Sequence, residues 1–177
     1  MKQSILKSTA IYLMLFSFLS CKQEPETKIS EINSLPEFLQ RKGYLAISIE
    51  KNNIGHFVIK GKINGKQALF ILDTGASATC LDFESAKKLD VSSKPTEGKS
   101  AGYGGDAEKI EVANTIIEMG NFKTDSMKTT IIDLTSVNQA YAAEIGGHID
   151  GVIGADILAG RSAIIDYETK ALYLRTK

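Results

Sequence analysis

From Tyr44 onward, apolar and polar residues alternate with a period near two and β-branched residues are frequent, the pattern of half-buried strands. Leu45 to Ile49 predicts a first strand, Phe57 to Ile59 and Lys60 to Ile63 a second. Asn64-Gly65 predicts a tight hairpin turn, because a type I′ turn needs positive φ at both central residues. Lys66 to Leu72 returns as a strand ending in the apolar run Ala68-Leu69-Phe70-Ile71-Leu72. Ala76 to Leu81 predicts extended chain, and Asp82 the cap of a short helix from Phe83 to Leu89, with Glu84 in its first turn. A loop around Pro95 leads to a glycine-rich tip, Gly102-Tyr103-Gly104-Gly105, between two extended arms. Extended segments follow at Lys109 to Ile117 and Phe122 to Leu134, then a helix or loop from Ser136 to Ile145. A closing hairpin pairs Ala163–Asp166 with Ala171–Leu174. Short strands at close spacing, with few brief helices, predict an all-β barrel or sandwich.

The pattern ahead of Tyr44 is different. Lys2 and Lys7 precede a short apolar core, Ala10 to Leu19, too short for a membrane span of about 20 residues but suited to a signal peptide. The run closes Phe18-Leu19-Ser20-Cys21, which resembles a bacterial lipoprotein signal with Cys21 as the lipidated residue. That resemblance implies a signal peptide over 1–20, a lipidated Cys21, and a polar tether over 21–43. More than one acyl chain gives stable anchoring. Lys22 after the cysteine favours an outer membrane, so the expected location is the cell envelope, held to a membrane by lipid. Leu35 to Leu39 could form a short helix or dock on the domain, which is expected to span 44–177.

The chain has 177 residues with 21 basic and 21 acidic side chains. Without residues 1–20 the formal charge is −2, since Lys2 and Lys7 are lost. This balance offers no counterion release toward nucleic acid, and no nucleic-acid partner is expected. With Cys21 lipidated, Cys80 is the one remaining thiol, read as a small core residue. His56 and His148 lack metal-ligand patterns, so no metal is expected. Gly98-Lys99-Ser100 and the 102–107 glycines fail as phosphate-binding motifs, the second because strand rather than helix follows.

The chemistry concentrates at Asp73-Thr74-Gly75-Ala76, directly after the apolar run. A carboxylate at the end of a buried strand, on a glycine turn with a hydroxyl beside it, is suited to activating water. D-T-G is also acceptable turn chemistry anywhere. Two further elements lie downstream in order, the glycine-rich segment Gly102–Gly105 and Gly151-Val152-Ile153-Gly154. Together the three resemble a retropepsin-like aspartic protease domain of the bacterial single-domain kind, over roughly residues 55–177. The resemblance implies an acid-protease closed barrel with one or two short helices. It implies an aspartic endopeptidase acting on peptide or protein substrates, with no cofactor. In it Asp73 is the catalytic acid/base and Thr74, Gly75 and Ala76 support it. Gly102, Tyr103, Gly104 and Gly105 form a flap, and Val152, Ile153 and Gly154 pack beneath the turn. No second D-T-G or D-S-G occurs; Asp150 and Asp156 read as structural. A catalytic pair therefore implies a homodimer contributing one Asp73 per chain. The alternative is a non-catalytic peptide-binding envelope lipoprotein that retains the fold.

Overall fold

The computed structural model describes residues 34–96, 100–102, 105–107, 111–145 and 147–176. The signal segment and Cys21 lie outside these residues, as do Tyr103 and Gly104. The first element is helix α1 (Leu35–Arg41), capped by Ser34 Oγ on Glu37 N, with Leu39 3% exposed. It falls within the stretch expected to be tether.

Strands β1 (Tyr44–Ser48), β2 (Glu50–Lys51), β3 (Phe57–Ile63) and β4 (Lys66–Leu72) follow. β3 and β4 form the anticipated hairpin, with Asn64 at φ 47 and Gly65 at φ 86, the positive values a type I′ turn demands. Next come β5 (Cys80–Asp82), helix α2 (Phe83–Lys88), β6 (Lys94–Pro95), β7 (Ser100–Gly102) and β8 (Gly105–Ala107). Strands β9 (Glu111–Thr115), β10 (Ile117–Met119), β11 (Phe122–Lys123) and β12 (Met127–Ile132) lead to helix α3 (Thr135–Ile145). The chain closes with β13 (Gly151–Ile153), helix α4 (Ala155–Gly160), β14 (Ile164–Asp166) and β15 (Ala171–Arg175).

Ten strands make one sheet in the order β11-β10-β3-β4-β13-β5-β12-β9-β6, with β2 beside β3; β1-β15-β14 form a second sheet and β7-β8 a third. The fold is thus all-β with short helices, four of them among the described residues. Pro95 sits in β6 at the end of the large sheet, where its missing N–H costs no ladder bond.

Alternation along the three middle strands explains their apolar character. Phe70, Leu81 and Ile153 point to one buried cluster with Ile59, Ile117 and Leu172. Their neighbours Ile71, Cys80 and Val152 point to a second, under Leu134, Tyr141 and Ile149. Successive side chains alternate faces, so the stretches covered on both sides, residues 68–72, 80–81 and 151–153, are apolar throughout. Helix α3 supplies the second cover through Tyr141, which is 2% exposed.

One expectation is corrected. Ala76 to Leu81 is not extended throughout: residues 73–79 are turns and bends, and the strand begins at Cys80. The backbone groups of Ala76 and Thr79 bond to the start of α4 and to Asp156 rather than to a neighbouring strand.

Candidate active site

The turn that carries Asp73 is built by a crossing of three strands. β13 lies between β4 and β5, parallel to the first (Ile153 opposite Leu72) and antiparallel to the second (Val152 opposite Cys80). The ladder continues one step past β4, where Asp73 N donates to the Ile153 carbonyl at 3.1 Å. From there the chain turns outward. Gly75 N donates to Asp73 Oδ1 at 2.7 Å, a short local bond that fixes the carboxylate on its own loop. Asp73 and Ala76 are half-buried, and Thr74, Gly75, Ser77 and Ala78 are exposed.

Beneath the turn the structure is dense. Ala155 N donates to the Ala76 carbonyl at 2.7 Å. Thr79 Oγ1 donates to Asp156 Oδ1 (2.6 Å), accepts from Gly154 N (3.1 Å), and Thr79 N donates to Asp156 Oδ2 (2.9 Å). A Cβ on Gly154 would lie 2.6 Å from Ala78 C and 2.7 Å from its carbonyl oxygen. Only a hydrogen fits there, so glycine is required by close approach, its φ of −104 being open to any residue. Val152, Ile153 and Gly154 therefore lie under the turn, and Asp156 is a brace. Thr79 was not anticipated from sequence. Its partner is 77 residues away, and no local pattern marks it.

Asp73 opens onto a cavity of about 510 Å³. Its walls are apolar at Ile54, Phe57, Ile71, Leu72, Val137 and Tyr167, and polar at His56, Asp73 and Tyr141. His56 Nδ1 is 2.6 Å from Tyr141 Oη, which joins the β2–β3 loop to α3. Burial pushes the Tyr141 phenol above its ordinary range, an effect reduced by the Asn52 side chain. Neither His56 nor Tyr141 was assigned a role from sequence, since 85 residues separate them.

Of the glycine-rich segment expected to form a flap, β7 and β8 pair antiparallel, with Gly102 opposite Gly105; Tyr103 and Gly104 lie outside the described residues.

Other chemistry-bearing groups are structural. Ser85 Oγ lies 2.8 Å from His148 Nε2 and donates to Asp150 Oδ1 at 2.8 Å. This has the composition of a hydrolytic triad, but Ser85 is 1% exposed and its proton is already given to Asp150. Asp150 Oδ2 also accepts from Leu69 N, and Asp82 accepts from Glu84 N, Ser85 N and Leu134 N. Burial pushes the Cys80 thiol up to about 12, which leaves it protonated and inert. Arg161 lies over the Phe122 ring at 5.4 Å. Asp166 accepts from Thr169 Oγ1, then from Thr169 N and Glu168 N, which hold its carboxyl below the ordinary range.

Residues 59–157, more than half of the chain, match the aspartyl protease family, and the chain belongs to that family. Among solved structures it is similar to a retropepsin-like aspartic protease from Rickettsia conorii, at 23% identity over 75% of this chain and 88% of that one, TM-score 0.48. It is also similar to EIAV protease complexed with an inhibitor, at 18% identity over 66% and 98% of the two chains, TM-score 0.49. A third is the retroviral protease-like domain of Ddi1 from Leishmania major, at 13% identity over 75% and 91%, TM-score 0.45. No curated protein matches the chain.

Proposed function

We propose that the chain is an aspartic endopeptidase working as a homodimer, tethered to an envelope membrane, the outer membrane in our reading, through a lipidated Cys21. The observation that carries the peptidase reading is the state of Asp73. It is half-buried at the mouth of a cavity, with one oxygen engaged by Gly75 N–H and the rest of the carboxylate turned toward open space. The exposed face of Thr74 to Ala78 suits the approach of a second copy.

In the proposed mechanism two Asp73 carboxyls, one per chain, meet about 3 Å apart and share one proton. The ionised carboxylate takes a proton from a water held between them. The water oxygen adds to the scissile carbonyl carbon, and the protonated carboxyl gives its proton to the carbonyl oxygen. The tetrahedral diol then collapses: the C–N bond breaks, the amide nitrogen takes up a proton, and a carboxylic acid and an amine leave. Thr74 and Gly75 hold the two loops, Ala76 keeps the floor small, and the Gly102–Gly105 hairpin closes over an extended peptide. The peptide pairs with the enzyme through its main chain.

The test is Asp73→Asn, nearly isosteric, against a broad peptide library. Cleavage by the wild type that vanishes in the variant, with both equally stable, supports the reading. Peptide binding without cleavage in the wild type favours a non-catalytic binding module. Sedimentation of the soluble domain tests pairing: full-rate cleavage by a strict monomer overturns the dimer. Cys21→Ser is expected to abolish incorporation of radiolabelled fatty acid and release the protein from membranes.

A further inference from the structure

The His56–Tyr141 pair holds an imidazole edge at the cleft, and that edge gives the cleft a chemical preference. The loop bearing His56 is rigid. Asn52 N donates to the His56 carbonyl at 2.9 Å, and His56 N donates back to Asn52 Oδ1 at 2.8 Å. This second bond fixes which end of the Asn52 amide is oxygen. Its Nδ2 is buried and makes no hydrogen bond among the described residues. With Tyr141 Oη donating and His56 Nδ1 accepting, the ring proton of a neutral imidazole sits on Nε2. His56 lines the Asp73 cavity and is exposed, and no described group hydrogen-bonds Nε2.

We propose that His56 Nε2–H is an oriented donor in a largely apolar substrate pocket, and that it selects large side chains ending in a hydrogen-bond acceptor, tyrosine before phenylalanine. Tyr141 is the positioning residue for it. The inference rests on the endopeptidase reading and deepens it by naming a substrate class. Ile54, Phe57, Val137 and Tyr167 match the apolar body of such a side chain, and Nε2–H matches its polar end. Because the pocket lies beside Asp73, a two-fold dimer carries one copy on each side of the scissile bond. His56 is open to solvent, so an unmatched donor is hydrated rather than orphaned, and the expected preference is modest, about 3–10-fold per pocket.

The experiment compares two fluorogenic octapeptides, identical except for Tyr or Phe at both residues flanking the scissile bond. The quantity read is the ratio of kcat/KM for the two peptides within each protein, so any general loss of activity cancels. The wild type is expected to favour the Tyr peptide, mostly through KM. His56→Ala and Tyr141→Phe are each expected to bring the ratio close to one, and His56→Gln, which keeps a donor, to retain part of it. A wild-type ratio of one, or a ratio unmoved in both variants, overturns the pocket assignment while leaving the peptidase reading intact. Titration calorimetry of both peptides with Asp73→Asn separates the two. Tighter binding of the Tyr peptide that disappears in the Asp73→Asn, His56→Ala double variant upholds the pocket even if the wild type cleaves nothing. Equal binding of the two peptides, or none, overturns it.

Discussion

Two regions of this molecule hold aspartates at the ends of strands, and they treat them in opposite ways. Around Asp82 and Asp150, both carboxylates are buried and each oxygen has a donor: three backbone N–H groups on Asp82, one N–H and one hydroxyl on Asp150. At Asp73 one oxygen has a single local N–H and the side chain is half-open. A buried carboxylate with a donor on each oxygen is stable and shielded from any substrate. An unsaturated one at a cavity mouth contributes little to the fold and is available to water. The difference separates joint from site without reference to motif.

The comparison can be broken most forcefully at the joint. Asp82→Ala removes the α2 cap and strands the buried Leu134 N–H, and is expected to cost about 3 kcal/mol in chemical denaturation. Gly154→Ala presses a methyl into the Ala78 backbone, at about 2 kcal/mol. It also displaces the turn, so peptide turnover falls further than stability predicts. Thr79→Val leaves Gly154 N–H and Asp156 without their shared hydroxyl, at about 1.5 kcal/mol by the same measurement. Asp73→Asn, by contrast, is expected to change stability by less than about 0.5 kcal/mol. A loss at Asp73 as large as that at Asp82 removes the distinction.

A gentler test concerns pH. The folded Cys80 thiol, at about 12 against an ordinary 9.0, holds its proton more tightly than the unfolded one. Proton release therefore favours the unfolded chain, and stability is expected to be insensitive to this group below pH 9.0 and to fall as pH rises toward about 12. In a Cys21→Ser background, a thiol reagent at pH 8 should leave the native protein unlabelled and label it fully in denaturant.

What could be read from the chain was local. Asn64-Gly65 named its own turn, Asp82 its own helix, and Asp73-Thr74-Gly75 its own turn, because each signal lies within a few residues and rests on φ, capping or turn chemistry. The extended reading of Ala76 to Leu81 failed because its partner, the Asp156 carboxylate at the start of α4, is remote in sequence. The roles of His56 and Tyr141 were invisible for the same reason. A histidine on a loop and a tyrosine on a helix become a pair only once the fold has brought them together.

The three-residue strand β13 has a consequence for timing. It is the wedge between β4 and β5, and the contacts it completes span nearly half of the polypeptide. A chain still emerging from a ribosome or a translocation pore, delivered only as far as α3, has Asp73 on an unsupported loop. Contacts so distant along the chain form late. Any hydrolytic power at Asp73 is thus withheld from the growing polypeptide and its neighbours until synthesis is almost finished, a built-in delay that needs no removable inhibitory segment.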